Sequence, residues 1–211
     1  MTLPISNQLT GDCLAAVLQQ SPVGATIADL LSKDAILYEL SCLISDPGSQ
    51  RQVMHPDTPC AAGEDAVLFT CFVALQDITL DMGPTTWMPG THTLQAHEQF
   101  QNDNKVDNQL SPKDTLLKQG PVVLGLLPKG CCAIFDSRLL HCGGANTNAS
   151  NQSRALFYFS FKNPNVPNAG NPGSIRPDLI NQWTLKALDK ELKKAAKGKS
   201  QVFVSSRDSF D

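Results

Sequence analysis

The chain has 211 residues, 41% of them apolar and 18% charged, with a net charge of −3 and a pI near 5.8. That length and balance suit one domain with a sizeable core and offer no general electrostatic attraction for nucleic acid or an anionic membrane. Seven cysteines at irregular spacing, with no CxxC pair, argue against a secreted disulfide framework and against a structural zinc site of the usual kind, and fit free thiols in a reducing compartment.

The first residues, MTLPISNQLTGD, lack the basic start and apolar core of a signal peptide, and no run of 18 apolar residues is present to span a membrane. The expected location is therefore intracellular, with the cytoplasm as the default. Residues 8–46 read as helical. Asp12 is placed to cap a first helix whose Leu14, Val17 and Leu18 share a face. Ser21-Pro22-Val23-Gly24 interrupts it, and a second helix starts at Ile27 with Leu30, Leu31, Ile36, Leu37, Leu40 and Ile44 in register. Asp46-Pro47-Gly48-Ser49 is a turn signal.

From residue 50 the texture is that of strands. Gln50–His55 is a short extended piece, and Ala66–Leu75 is apolar on both faces, as a strand between two layers should be. Thr85–Met88 follows the turn Asp81-Met82-Gly83-Pro84, and Val122–Leu127, Cys132–Asp136 and Arg154–Lys162 complete the set. Residues 94–119 are polar without clear periodicity and read as a long surface loop or lid, with His97 facing solvent. From Pro177 the pattern is helical again through Leu179, Ile180, Trp183, Leu185, Leu188 and Leu192, and ends in lysines placed at the negative pole of the helix dipole. The whole predicts a mainly β fold with flanking helices, a sandwich or barrel. Its domain spans 1–176, with helices over 8–46 and a β-core over 50–163. A C-terminal helix and flexible basic tail follow over 177–211. The sequence says nothing of oligomeric state.

Two of the four histidines sit in informative places. His55-Pro56-Asp57 sets an imidazole and a carboxylate two residues apart, and in an extended chain such residues point the same way and reach one ion. His141 lies just beyond the strand-like stretch Ala133–Asp136, before Gly143-Gly144. Two histidines and one carboxylate on one face of an octahedral ion leave three positions open, which is the facial triad of non-haem iron(II) oxygenases. Cys142, adjacent to His141, points away from it on an extended chain and cannot form a Cys–His pair.

Beyond these residues, the stretch VALQDITLDMGPTTWMPGTH (residues 73–92) and the later FDSRLLHCGGANTNASNQSRALFYFSF (residues 135–161), in this order after the HxD motif, resemble the phytanoyl-CoA dioxygenase-like family of iron(II)/2-oxoglutarate oxygenases. The resemblance covers a little over half the chain and implies a double-stranded β-helix (jelly-roll, cupin-like) core. It implies iron(II) held by His55, Asp57 and His141, and 2-oxoglutarate held at its distal carboxylate by Arg154, whose planar guanidinium pairs bidentately with a carboxylate. Tyr158 and Ser160, on the same strand face as Arg154, are candidates to line that pocket, with Thr86 and Asn146 as further polar groups. His92 belongs to a structural turn in that family, and Trp87 reads as core by default, with lining of the substrate pocket as the alternative.

The implied activity is hydroxylation of a small organic or lipid-derived substrate with O₂ and 2-oxoglutarate, releasing succinate and CO₂. The substrate itself is not identified. Asp57 argues against a halogenase, since halogenases of this family carry a small residue there. The chain departs from the family in three ways. Only 54 residues precede His55, so part of the N-terminal sheet is expected to be missing or rebuilt. Arg154 lies thirteen residues after His141, about two further than is common, and Gly143 brings no hydroxyl two residues after the distal histidine. These departures keep open an inactive binding or regulatory module on the same fold, and the ligand set alone also admits a zinc or manganese site with hydrolytic or lyase chemistry.

Overall fold

Asn7 opens the first helix, α1 (Gln8–Leu18), by accepting the backbone N–H groups of Leu9 and Thr10 on its side-chain oxygen, the usual way an N-cap satisfies orphan donors. Asp12, the cap expected from the sequence, lies inside the helix and accepts from Gln8 Nε2 at 2.8 Å. The structure, a computed structural model, describes residues 1–60, 65–105, 109–166, 173–200 and 202–203. Helix α2 (Val23–Leu30) follows, and Ser32 at a φ of 123° turns the chain out of helical geometry.

Here the structure corrects the sequence reading, because Ile36–Ser45 is a ten-residue strand, β1, and not the continuation of a helix. Its apolar residues fit helical spacing by coincidence. A short apolar run covered on both faces carries no distinguishing period, and Ile, Tyr and Leu suit a strand as well. The later strands are β2 (Leu68–Ala74), β3 (Thr85–Trp87), β4 (Val123–Leu124), β5 (Cys132–Asp136), β6 (His141–Gly143) and β7 (Arg154–Lys162). The expected strand Val122–Leu127 shortens to two exposed residues.

The expected loop over 94–119 is also corrected. It carries α3 (Leu94–Gln101) and α4 (Pro112–Gln119), while residues 106–108 lie outside the described set. These helices have almost no apolar face, since α3 buries only Ala96 and His97 and α4 buries nothing. Local signals define them instead. Thr93 accepts from Ala96 N–H, and Ser111 accepts from Asp114 N–H with Pro112 in the first turn, which are standard helix-start features. The C-terminal helix is shorter than expected, α5 (Leu185–Ala195), capped by Thr184.

The chain divides into two compact units, Met1–Cys42 with Tyr158–Asp211 and Leu43–Phe157. Strands β1 and β7 pass from one unit into the other. The four-stranded sheet has order β1-β7-β2-β5 and the three-stranded sheet β4-β3-β6. In the first unit Leu14, Leu18, Ile27, Leu188 and Leu192 of α1, α2 and α5 are buried, and Gln19 Nε2 donates to the carbonyl and carboxylate of Asp189. In the second unit β2 and β5 run antiparallel, with Thr70 opposite Phe135 and Phe72 opposite Ala133. The second unit's strands meet through Phe72, Trp87, Phe135 and His141, whose rings lie 5.0 to 6.5 Å from their neighbours. No helix among the described residues is long and apolar enough to cross a membrane.

Candidate metal centre

His55 and His141 are 86 positions apart in sequence and directly opposite in space. Each donates its backbone N–H to the other's carbonyl, at 3.0 and 2.9 Å. Residues exchanging both bonds across an antiparallel pair present their side chains on one face. Asp57, two residues beyond His55, shares that face by the period-2 rule. His55, Asp57 and His141 therefore converge, with one ligand atom from each lying within 4.8 Å of the others, and no other His, Cys, Asp or Glu of the described residues joins the group. The Nε2 atoms of His55 and His141 stand 3.9 and 3.6 Å from Asp57 Oδ1. These gaps are too long for hydrogen bonds and suit an ion held between the three groups.

The tautomers follow from the neighbours. His55 Nδ1 lies 2.7 Å from the carbonyl of Val53 and His141 Nδ1 lies 2.9 Å from that of Leu139. A carbonyl only accepts, so each Nδ1 carries a hydrogen and each Nε2 is the nitrogen turned toward Asp57. Burial holds the His141 imidazolium below its ordinary pKa range, against the opposing pull of the Asp57 carboxylate, which keeps the ring in the neutral, ligating form.

The turn between β5 and β6 is fixed by a dense set of contacts. Ser137 carbonyl accepts from the N–H groups of both Asp57 and Thr58, at 2.8 and 3.1 Å. The hydroxyls of Ser137 and Thr58 lie 2.6 Å apart. Arg138 forks onto the Asp136 carboxylate through Nε and Nη2, with 2.6 Å at the shorter contact. His97 donates from Nε2 to the Arg138 carbonyl at 2.7 Å and is 2% exposed, so the solvent-facing role expected of it is corrected. Its surroundings come from a helix, which the polar composition of the segment concealed. Thr91 Oγ1 accepts from Leu140 N–H, one residue before His141.

Arg154, at the start of β7, is 3% exposed, and its Nε and Nη1 have no hydrogen-bond partner among the described residues. Burial depresses the guanidinium's pKa. Its Nη2 lies 3.2 Å from where a Cβ on Gly143 would stand, two residues beyond His141 on the same strand. Gly143 N–H donates to Gln52 Oε1 at 2.7 Å, a contact the sequence did not announce.

Thr86 and Asn146, also expected in the pocket, are placed differently. Thr86 pairs in register with Cys142 and Leu124, whereas Trp87 pairs with His141 and Thr85 with Gly143. The triad's face of β3 thus carries Thr85 and Trp87, and Thr86 points to the opposite face. Asn146 is fully buried with both Nδ2 hydrogens committed, to the carbonyls of Ser45 and Gln152, so it serves as a turn hub. Tyr158 and Ser160 lie further along β7, on the face that Arg154 shares, and the Ser160 hydroxyl donates to Glu39 at 2.8 Å.

The sequence profile of the family described as phytanoyl-CoA dioxygenase (PhyH) matches residues 8–155. The chain is 29% identical over 145 residues to Dioxygenase FrzG of Cladobotryum sp, a match covering 65% of this chain and 44% of that protein. It is 30% identical over 116 residues to Dioxygenase easH of Epichloe festucae var. lolii, covering 52% and 54%. It thus spans about half the length of the curated relatives it matches. Among solved structures it is similar to the non-heme alpha ketoglutarate dependent carbocyclase SnoK from nogalamycin biosynthesis, with a TM-score of 0.55 at 20% identity over 84% of this chain and 68% of that one. That likeness establishes the mainly β, jelly-roll fold with flanking helices.

Proposed function

The chain belongs to the phytanoyl-CoA dioxygenase family, and on that premise we propose that it is an iron(II)- and 2-oxoglutarate-dependent oxygenase that hydroxylates a small organic or lipid-derived substrate. One observation carries the reading, namely that His55, Asp57 and His141 bring three donors together and that the strand of His141, two residues on, approaches a buried arginine with two unpartnered nitrogens. Two imidazoles and a carboxylate form the donor set of a mononuclear iron(II) site. A buried guanidinium left without an acceptor asks for an anion. His141 and Gly143 are about 7 Å apart along the strand, so a short dicarboxylate spans from the three donors to Arg154. The residues present therefore fit both groups.

Bound there, iron(II) supplies open positions for the 2-oxo acid and O₂, and the overall reaction turns 2-oxoglutarate, O₂ and a substrate C–H into succinate, CO₂ and the alcohol. The protein's part is to bind, orient and exclude water. His55 and His141 keep their Nε2 lone pairs aimed inward because Val53 and Leu139 carbonyls hold the opposite nitrogens. Asp57 supplies the single negative charge of the set. Arg154 takes the distal carboxylate in its fork, and the rings of Phe135 and Trp87 wall the buried side against water. The His55 and Asp57 side chains are 40% and 36% exposed against 6% for His141, so the substrate approaches from the side of His55 and Asp57.

The test needs no knowledge of the substrate. Protein incubated with iron(II), ascorbate and 2-oxoglutarate in air should release succinate above an Asp57→Ala control through uncoupled turnover. Absence of succinate, together with no binding of 2-oxoglutarate to the iron(II) protein in anaerobic titration, would overturn the reading in favour of a binding module without turnover.

A further inference from the structure

We infer, resting on the reading above, that Thr70 and Trp87 grip the 2-oxo acid at its metal-bound end and so fix the direction in which it binds. Four side-chain atoms among the described residues are buried without a hydrogen-bond partner, and they belong to three residues: Thr70 Oγ1, Trp87 Nε1, and Arg154 Nε and Nη1. The three are 1%, 7% and 3% exposed. A buried polar group without a partner costs stability, and each such group in a native fold calls for a ligand or a water.

The three residues come from β2, β3 and β7, and register sets Trp87 opposite His141 and Thr70 opposite Phe135, the ring packed against His141. Trp87 is the direct cross-strand partner of His141, so its indole shares that face. Thr70 is the direct partner of Phe135, whose ring lies 5.1 Å from that of His141 and 5.6 Å from that of Trp87. Arg154 lies instead beside Gly143, one period further along. The indole N–H and the guanidinium only donate, and the threonine hydroxyl donates as readily as it accepts. A ligand meeting all three must present acceptors at both ends. Of its two ends, the distal carboxylate pairs with Arg154, which leaves Trp87 Nε1 and Thr70 Oγ1 to donate to the C1 carboxylate. Phe72 and Phe135, on the same face as Thr70, cover the short carbon chain between. Arg154 alone would not tell the two carboxylates apart, and neutral donors at one end with a full charge at the other do.

Anaerobic titrations of the iron(II) protein with 2-oxoglutarate and with 2-oxopentanoate, the same chain without the distal carboxylate, test this through the visible charge-transfer band of the chelated 2-oxo acid. Thr70→Val and Trp87→Phe remove one donor each with little change of shape. Each should weaken both ligands by roughly tenfold or more and shift the band, and Thr70→Ser should restore wild-type binding. Arg154→Met should weaken 2-oxoglutarate and leave 2-oxopentanoate unchanged. Wild-type affinity for 2-oxopentanoate in both Thr70→Val and Trp87→Phe, or weakening confined to 2-oxoglutarate, would overturn the assignment. A wild-type protein that gives no band with either acid would instead sink the oxygenase reading on which it rests.

Discussion

Replacing Arg154 by methionine should make the ligand-free protein more stable and the cosubstrate far weaker, two effects of opposite sign from one change. Arg154 is 3% exposed with Nε and Nη1 unpartnered, so the free protein carries a desolvated cation with three of its five N–H donors idle. Methionine keeps much of the aliphatic stem and discards the charge. Removing an unsatisfied buried group relieves ~1–3 kcal/mol, and a hydrophobic stand-in for an uncompensated buried charge is typically neutral to stabilising. Allowing for imperfect packing, we expect a gain of about 1 kcal/mol, or a rise in Tm of about 2–4 °C for a chain of this size. With 2-oxoglutarate the sign reverses, because the lost pair of charge-assisted hydrogen bonds contributes ~2–4 kcal/mol, roughly 30- to 1000-fold in affinity. Urea unfolding of the metal-free protein measures the first quantity and anaerobic titration of the iron(II) protein the second. A metal-free variant destabilised by more than about 1 kcal/mol, with 2-oxoglutarate affinity unchanged, would show that Arg154 is a structural arginine and refute the argument.

Two further outcomes are expected. Gly83 has a φ of 67°, and a Cβ there would stand 2.4 Å from the carbonyl oxygens of both Gly144 and Ala145. Gly83→Ala should therefore cost more than ~3 kcal/mol through strain and backbone collision, read as a lowered urea midpoint, and a midpoint near wild type would disprove that close approach. Cys132 is held at a pKa of about 7 by a hydrogen bond from the Cys71 thiol, whose own pKa is raised chiefly by that same bond. The bond favours the Cys132 thiolate, so alkylation of Cys132, followed by peptide mass spectrometry, should accelerate as pH rises through about 7 and then level off. Cys71→Ala should move that inflection up toward the ordinary thiol range, and an inflection unmoved by the substitution would remove Cys71 as the cause.

Part of the site was legible from the sequence because it depends on local rules. Two ligands at i and i+2 share a face in any extended chain, so His55 and Asp57 could be paired without knowing the fold. Arg154–Lys162 and Cys132–Asp136 form the strands read from them, since their apolar residues and turn boundaries agree. What failed was whatever depended on a partner elsewhere. Ile36–Ser45 reads as helix or strand with equal ease until both its faces are covered. Thr86 and Trp87 differ by one position, and only pairing with β6 decides which of them faces His141. The polarity of 94–119 concealed two helices held by Thr93 and Ser111 caps. The signal Ser111-Pro112-Lys113-Asp114 was present in the sequence, and weighing start signals above apolar periodicity would have found α4.

The unequal anchoring of the three donors orders the events at the site. His141 stands at the end of a turn tied by Asp136–Arg138, by His97 and by Thr91, and its side chain is 6% exposed. His55 and Asp57 hang from a segment paired to that turn through backbone bonds of His55, Asp57 and Thr58, with their side chains open to solvent by more than a third. On the proposed function, the buried side would belong to what must be held still and dry, the contact of His141 with the metal and the 2-oxo acid that Arg154 would bind. The open side belongs to what changes from turnover to turnover. Loosening the turn by Arg138→Met should strand the Asp136 carboxylate and cost ~3–5 kcal/mol, and should weaken metal binding by more than any substitution on the exposed rim that spares the ligands. Equal metal affinity in Arg138→Met and wild type, measured by competition with a chelator on protein shown to be folded, would mean that His141 is positioned by its strand alone.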